Sequence, residues 1–116
     1  MRNGLYSIHI ALLDGRDGRG SGVVVFRDGQ IRGGDAFLYY VGHYKAVGDG
    51  FKGEVLVMQH TRSAEQSPLF GNTKDPVGIG VSGTFTDNAA TMNGTALVGK
   101  ASLIFRATLR RLADAE

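Results

Sequence analysis

Apolar side chains recur at every second position in one short segment of this chain after another, and breaks rich in glycine and aspartate separate the segments. A period of two places the apolar residues on one face of an extended strand, whereas a helix needs spacings of three and four. In Leu5 to Leu12, Tyr6, Ile8, Ile10 and Leu12 fall on one face and Leu5, Ser7, His9 and Ala11 on the other. Ser21 to Arg27 sets Val23 and Val25 opposite Val24 and Phe26; Asp28-Gly29 then marks a two-residue hairpin, and Gln30 to Gly33 returns. Beyond Gly33-Gly34-Asp35, Phe37 to Ala46 alternates Phe37, Tyr39, Val41 and His43 with Leu38, Tyr40, Gly42 and Tyr44.

The turn Gly48-Asp49-Gly50 leads to Phe51 to His60, which sets Phe51, Gly53, Val55 and Val57 against Lys52, Glu54, Leu56 and Met58. Val77 to Thr86, the turn Asp87-Asn88, Ala90 to Val98, the link Gly99-Lys100 and Ala101 to Arg110 complete the series. Two stretches lack periodicity. Asp14 to Gly20 reads as a loop, and Thr61 to Pro76, which holds both prolines, reads as the longest connection and a lid over one barrel mouth. Phe105, Leu109 and Leu112 also fit a helical stripe, so the last turn, Leu109 to Ala115, is expected to be frayed or a short helix.

Eight strands joined mostly by short turns point to an all-β fold, because eight is the number at which a small sheet closes on itself. The expected architecture is an eight-stranded antiparallel up-and-down barrel of the lipocalin or calycin kind, with residues 1–116 as one domain. Glycine fits this picture. There are 18 glycines and only two prolines in 116 residues, and excess glycine with little proline suits tight hairpins and strongly coiled strands. A barrel of this size is filled by its own side chains or holds one small apolar ligand.

Composition narrows the function classes. Hydrophobic residues make up 42% of the chain and charged residues 21%, enough apolar material for one folded core. Without cysteine, neither a disulfide scaffold nor a thiolate metal site forms. The first residues do not show a signal-peptide pattern, and the apolar runs are too short for a membrane-spanning helix, so a cytoplasmic protein with no membrane span is expected. The formal charge of +2 is a weak field for nucleic acid, despite basic residues at Arg16, Arg19, Arg27, Arg32, Arg106, Arg110 and Arg111.

Catalytic chemistry finds little to work with, and the chain reads as no enzyme. Gly78-Ile79-Gly80-Val81-Ser82-Gly83 matches a dinucleotide fingerprint in letters only, since it lies inside an alternating strand with no helix after it. His9, His43 and His60 lack a partner at metal-ligand spacing, and no serine sits in a nucleophile elbow. No cofactor is expected. Phe37, Tyr39, Tyr40, Tyr44 and Phe51 form the densest aromatic group, suited to a barrel core with a dimer contact or to a ligand platform. His43 and His60 are wall histidines or line a polar pocket. The candidate partner or ligand contacts are therefore Tyr39, Tyr40, His43, Tyr44, Asp49, Phe51 and His60.

Four segments carry a family resemblance: Gly4-Leu5-Tyr6-Ser7-Ile8, Gly20-Ser21-Gly22-Val23-Val24, Gly33-Gly34-Asp35-Ala36, and the aromatic and glycine hairpin from Tyr39-Tyr40-Val41-Gly42 to His60. In these the chain resembles the GrlR-like negative regulators of type III secretion. The resemblance covers the first half closely and the second half by strand pattern. It implies a lipocalin-like barrel, a homodimer, and regulation by binding a protein partner, a transcriptional activator. The best-known member presents an acidic run in the hairpin turn after the Tyr-x-Gly strand; here that turn reads Ala46-Val47-Gly48-Asp49-Gly50-Phe51, with Asp49 the single acid. One exposed carboxylate cannot reproduce that electrostatic complementarity.

Overall fold

The computed structural model describes residues 1–12, 19–61, 76–98 and 101–114. Eight strands form one closed antiparallel barrel in sequence order: β1 (Gly4–Leu12), β2 (Arg19–Arg27), β3 (Gln30–Gly34), β4 (Leu38–Val47), β5 (Gly50–Gln59), β6 (Val77–Phe85), β7 (Ala89–Val98) and β8 (Ala101–Ala113). Closure is made where β8 pairs with β1, with Ser7 opposite Arg110 and His9 opposite Thr108. Every strand thus has a paired neighbour on both sides, although the short β3 pairs only with Val23–Arg27 of β2 and Tyr39–His43 of β4.

The expected alternation decides what faces inward. Tyr6, Ile8 and Ile10 of β1, Val24 and Phe26 of β2, Tyr40 and Tyr44 of β4, Phe51, Val55 and Val57 of β5 are all buried. Val77, Ile79 and Val81 of β6 and Phe105, Ala107 and Leu109 of β8 complete the lining with Met92 and Ala96 of β7. Gly94 of β7 makes room for this packing, because an added Cβ there would run into the Phe105 ring.

Hairpin chemistry fixes the register. Asp28 and Gly29 both take positive φ, 49° and 82°, the pair of values that lets a two-residue turn follow the strand twist. Gly48 takes φ of 62° at the first central position of the next hairpin, where Val47 pairs with Gly50. The up-and-down order puts these two turns, the Thr86–Asn88 turn and both described chain ends at one end of the barrel, called here the turn end. The Asp35–Phe37 turn lies at the other.

The C-terminal segment corrects one expectation. No helix occurs among the described residues, and β8 runs as strand to Ala113. Phe105 and Leu109 lie four apart and therefore share a face in a strand as well as in a helix; only Leu112 separates the two readings. A bulge skips Leu112, with Tyr6 opposite Arg111 and Leu5 opposite Ala113, and leaves Leu112 54% exposed. Boundaries also shift slightly: β2 starts at Arg19 instead of Ser21, and Phe37 belongs to the turn before β4. The expected lid lies for the most part in residues 62–75, outside the described residues, as do residues 13–18 of the first loop and the 99–100 link.

Candidate interaction surface

The barrel separates the seven candidate residues into three places. Tyr40, Tyr44 and Phe51 point into the barrel, and Tyr39 and His43 stand on its outer wall. Asp49 is exposed in its hairpin turn, where its carbonyl oxygen accepts from Phe85 N at 2.9 Å. His60 follows β5 at the end opposite the turns. No single pocket gathers them.

Inside, aromatic rings plug the turn end. Phe26 packs edge-on against Tyr6 at 5.6 Å and against Tyr44 at 5.2 Å between centroids. Phe51 touches Phe26, Tyr44 and Phe85 at 6.2 to 6.4 Å. The Tyr6 hydroxyl escapes the apolar interior by donating to the Arg2 carbonyl at 2.6 Å. The void left near mid-barrel, bounded by Ile8, Val24, Tyr40, Val55, Ile79 and Phe105 among others, measures about 30 Å³. That is room for a water molecule or two, against roughly 300–1,000 Å³ for pockets that take drug-sized ligands.

Asp35 organises the opposite end. Its Oδ1 accepts from Phe37 N and Leu38 N, both at 2.8 Å, and its Oδ2 accepts from the Tyr40 hydroxyl at 3.0 Å. Burial, then the adjacent carboxylate, pushes the Tyr40 phenol far above its ordinary pKa. His60 closes over this turn: its main-chain N donates to the Phe37 carbonyl at 2.8 Å and its Nε2 lies 3.0 Å from the Asp35 carbonyl oxygen. A carbonyl only accepts, so Nε2 donates to it, while Nδ1 lies 2.7 Å from the Thr61 hydroxyl oxygen. With both nitrogens engaged and Tyr39 beside the ring at 6.4 Å, His60 fastens a turn. Gln59 points inward nearby, and its Nε2 is buried without a hydrogen-bond partner.

The outer wall across β2 to β5 is the feature the candidates only brush. Register aligns its outward residues in rows. Val23, Gly34, Tyr39 and Met58 form one; Val25, Arg32, Val41 and Leu56 form the next toward the turn end. Then come Arg27, Gln30, His43 and Glu54, and finally the directly opposed pair Lys45 and Lys52. Val23 is 46% exposed, Tyr39 39% and Leu56 48%. Beyond Leu56 the wall drops to Gly78 and Gly80, where an added Cβ would meet almost nothing, and a concavity of about 630 Å³ opens over Arg32, His43, Glu54, Leu56 and these glycines.

Among the described residues no group of three or more His, Asp or Glu is placed to hold a metal ion. No helix of the described residues is long and apolar enough to cross a membrane. Comparison of the chain with models of protein families matches none, and comparison with curated proteins finds no match.

Residue reading missed three elements of this surface: Asp35 as organiser, the Lys45–Lys52 opposition, and Leu56. The lysine pair had a signal. A hairpin centred between Gly48 and Asp49 sets equidistant residues opposite each other, and Lys45 and Lys52 are equidistant from it.

Proposed function

We propose that this chain is a non-catalytic module that binds a protein partner through the outer wall of its barrel, in the manner of the GrlR-like regulators it resembles. The observation that carries the reading is the apolar band Val23, Tyr39, Val41, Leu56 and Met58 facing outward, while the described interior side chains leave a void of only about 30 Å³. Contiguous exposed apolar surface on a folded domain marks a contact site, because its hydration is costly until something covers it. A transcriptional activator as partner, a homodimer and a cytoplasmic setting belong to the same proposal through the resemblance. The acidic hairpin turn does not, since Asp49 stands alone there.

The test is affinity capture with the tagged chain and a Leu56→Asp variant. The reading expects a stoichiometric protein partner recovered by the native chain and lost in the variant. Recovery of none, or equal recovery by both, contradicts it. Light scattering tests the homodimer, which should have twice the 12.3 kDa mass of the chain.

One observation favours a second reading, a carrier of a small apolar ligand. The unpartnered Gln59 Nε2 would welcome an acceptor atom at the end opposite the turns. The void of about 30 Å³ weighs against it. Displacement of a fluorescent fatty-acid probe by lipid extract would favour the carrier; no probe binding would dismiss it.

A further inference from the structure

Away from the apolar rows, the outer wall holds a second hollow, and its lining is polar. It measures about 500 Å³ and opens over β5, β6 and β7, between Val47 and Gly50 of the β4–β5 hairpin, Lys52, Ser82, Thr84 and Asn93. Register brings three of these side chains into one outward row: Lys52 lies opposite Ser82, and Ser82 opposite Asn93. Strands about 4.8 Å apart put Lys52 and Asn93 about 10 Å from each other. All four polar residues are exposed.

This lining is built to donate hydrogen bonds. The Lys52 ammonium offers three donors and no acceptor. Asn93 is oriented by its neighbour on β8, because Arg106 Nε donates to Asn93 Oδ1 at 3.3 Å. A guanidinium cannot accept, so Oδ1 is the atom turned to Arg106 and Nδ2, with its two donors, is turned away from it. The Thr84 and Thr91 hydroxyl oxygens lie 3.4 Å apart, and with Thr91 donating, the Thr84 proton turns to the hollow. Ser82 stands between Lys52 and Asn93 with its own hydroxyl.

The charges around the hollow set the kind of ligand. Lys45 faces Lys52 across the hairpin, and among the described residues neither lysine pairs with a carboxylate. Like charges set directly opposite in a sheet oppose folding, a cost that a bound anion relieves. Neither β6 nor β7 carries an acid. Acids do flank the site: Glu54 lies two residues along β5 from Lys52, and Asp49 lies in the turn beside Gly50. A long polyanion along the wall would meet both carboxylates, whereas one compact anion over Ser82 meets neither. A planar carboxylate has two oxygens, while a phosphoryl group presents three and up to two charges, enough to accept from donors on three strands at once. Val47, 74% exposed at the rim, leaves an apolar surface for the body that carries it.

We propose that the hollow over β5 to β7 binds a phosphoryl group, with Lys52 as its ionic contact, Asn93 Nδ2 as its amide contact, and the Ser82 and Thr84 hydroxyls donating between them. This goes beyond the protein-binding reading and stands or falls without it. A small phosphate ester and a phosphorylated side chain of another protein share this chemistry.

The test is a ¹H–¹⁵N correlation spectrum of the full chain titrated with inorganic phosphate at constant pH and ionic strength. Saturable shifts are expected at the amides of Lys52, Ser82, Gly83 and Thr84 and at the Asn93 side-chain NH₂, with the rest of the spectrum reporting that each variant is folded. Lys52→Gln should weaken binding about tenfold, a change of about 1.4 kcal/mol, and Lys52→Arg should keep most of it. Asn93→Asp, which sets a carboxylate in the hollow, should abolish it, and Arg110→Gln on β8 should leave it unchanged. No saturable shift in the native chain, shifts of equal size around Arg27, Arg32 and Arg110, or indifference to Lys52→Gln each overturns the proposal. Phenyl phosphate and a short phosphoserine peptide then separate the two sources. Either one binding at least as tightly as inorganic phosphate supports the site, the first pointing to a small ester and the second to a modified protein. Failure of both, or equal binding of phenol and the unphosphorylated peptide, overturns it.

Discussion

Asp35 shows how much one short side chain holds. Its carboxylate takes three donors, Phe37 N, Leu38 N and the Tyr40 hydroxyl, so Asp35→Ala leaves all three to find water or go without. A loss of about 2–4 kcal/mol is expected in denaturant unfolding, against about 1–2 for Tyr40→Phe, which removes one donor. A smaller loss for Asp35→Ala than for Tyr40→Phe would show that the turn does not depend on the carboxylate. Such a role is hard to read in a sequence, since Gly33-Gly34-Asp35 looks like any polar break until Tyr40 is placed beside it.

Three of the four tyrosines, Tyr6, Tyr40 and Tyr44, have pKa values raised chiefly by burial. The native state therefore holds these phenolic protons more tightly than the unfolded chain, whose tyrosines ionise near pH 10. The stability this contributes is present below about pH 10 and is lost as pH climbs from there through the raised native values. Absorbance titration of phenolate should thus show these three ionising together with loss of near-ultraviolet dichroism. Their ionisation near pH 10 with the fold intact would contradict the burial. The Lys45–Lys52 opposition supplies another residue-scale prediction: Lys52→Glu should stabilise the folded chain by about 0.2–1 kcal/mol in denaturant unfolding. A destabilised variant would mean the lysines interact favourably within the monomer.

At the scale of elements, the hairpins were the most legible part of the sequence. Asp28-Gly29 and Gly48-Asp49 announce their turns by composition, and a two-residue turn dictates which residues oppose each other for the length of both strands. The last strand was the least legible. Its inward residues Phe105 and Leu109 satisfy helix and strand together, and the bulge at Leu112 that resolves them arises from pairing with β1, about a hundred residues away in sequence. The strand reading has a sharp consequence. Leu109→Ala should cost about 2–5 kcal/mol, as for a buried leucine, and Leu112→Ala less than about 0.5, as for an exposed one. Comparable losses at both positions would restore the helical stripe.

For the whole molecule, period two specified strands and left their global arrangement open, because the same alternation serves a sandwich. Eight strands and frequent glycine pointed to closure, and the β1–β8 pairing supplies it. Of the candidate site residues, the aromatic cluster was visible but its division was not. Tyr39 and Tyr40 are neighbours in sequence yet face opposite sides of the wall, 39% and 6% exposed, so a dense aromatic run spells core and surface at once. Which stretch of outer wall is apolar depends on register across four strands, and no single segment displays it. Among the described residues the cylinder holds a void of only about 30 Å³, which is the feature of the fold that supports the proposed recognition on its outside.

A NOESY spectrum of the assigned chain tests this directly. The account predicts cross-strand contacts between β1 and β8 in the register Ser7–Arg110, Ile8–Leu109 and His9–Thr108, together with contacts of Phe105, Met92, Ile8 and Val24 across the interior. A β1 edge without β8 neighbours, or an interior in which opposite walls never touch, would contradict it.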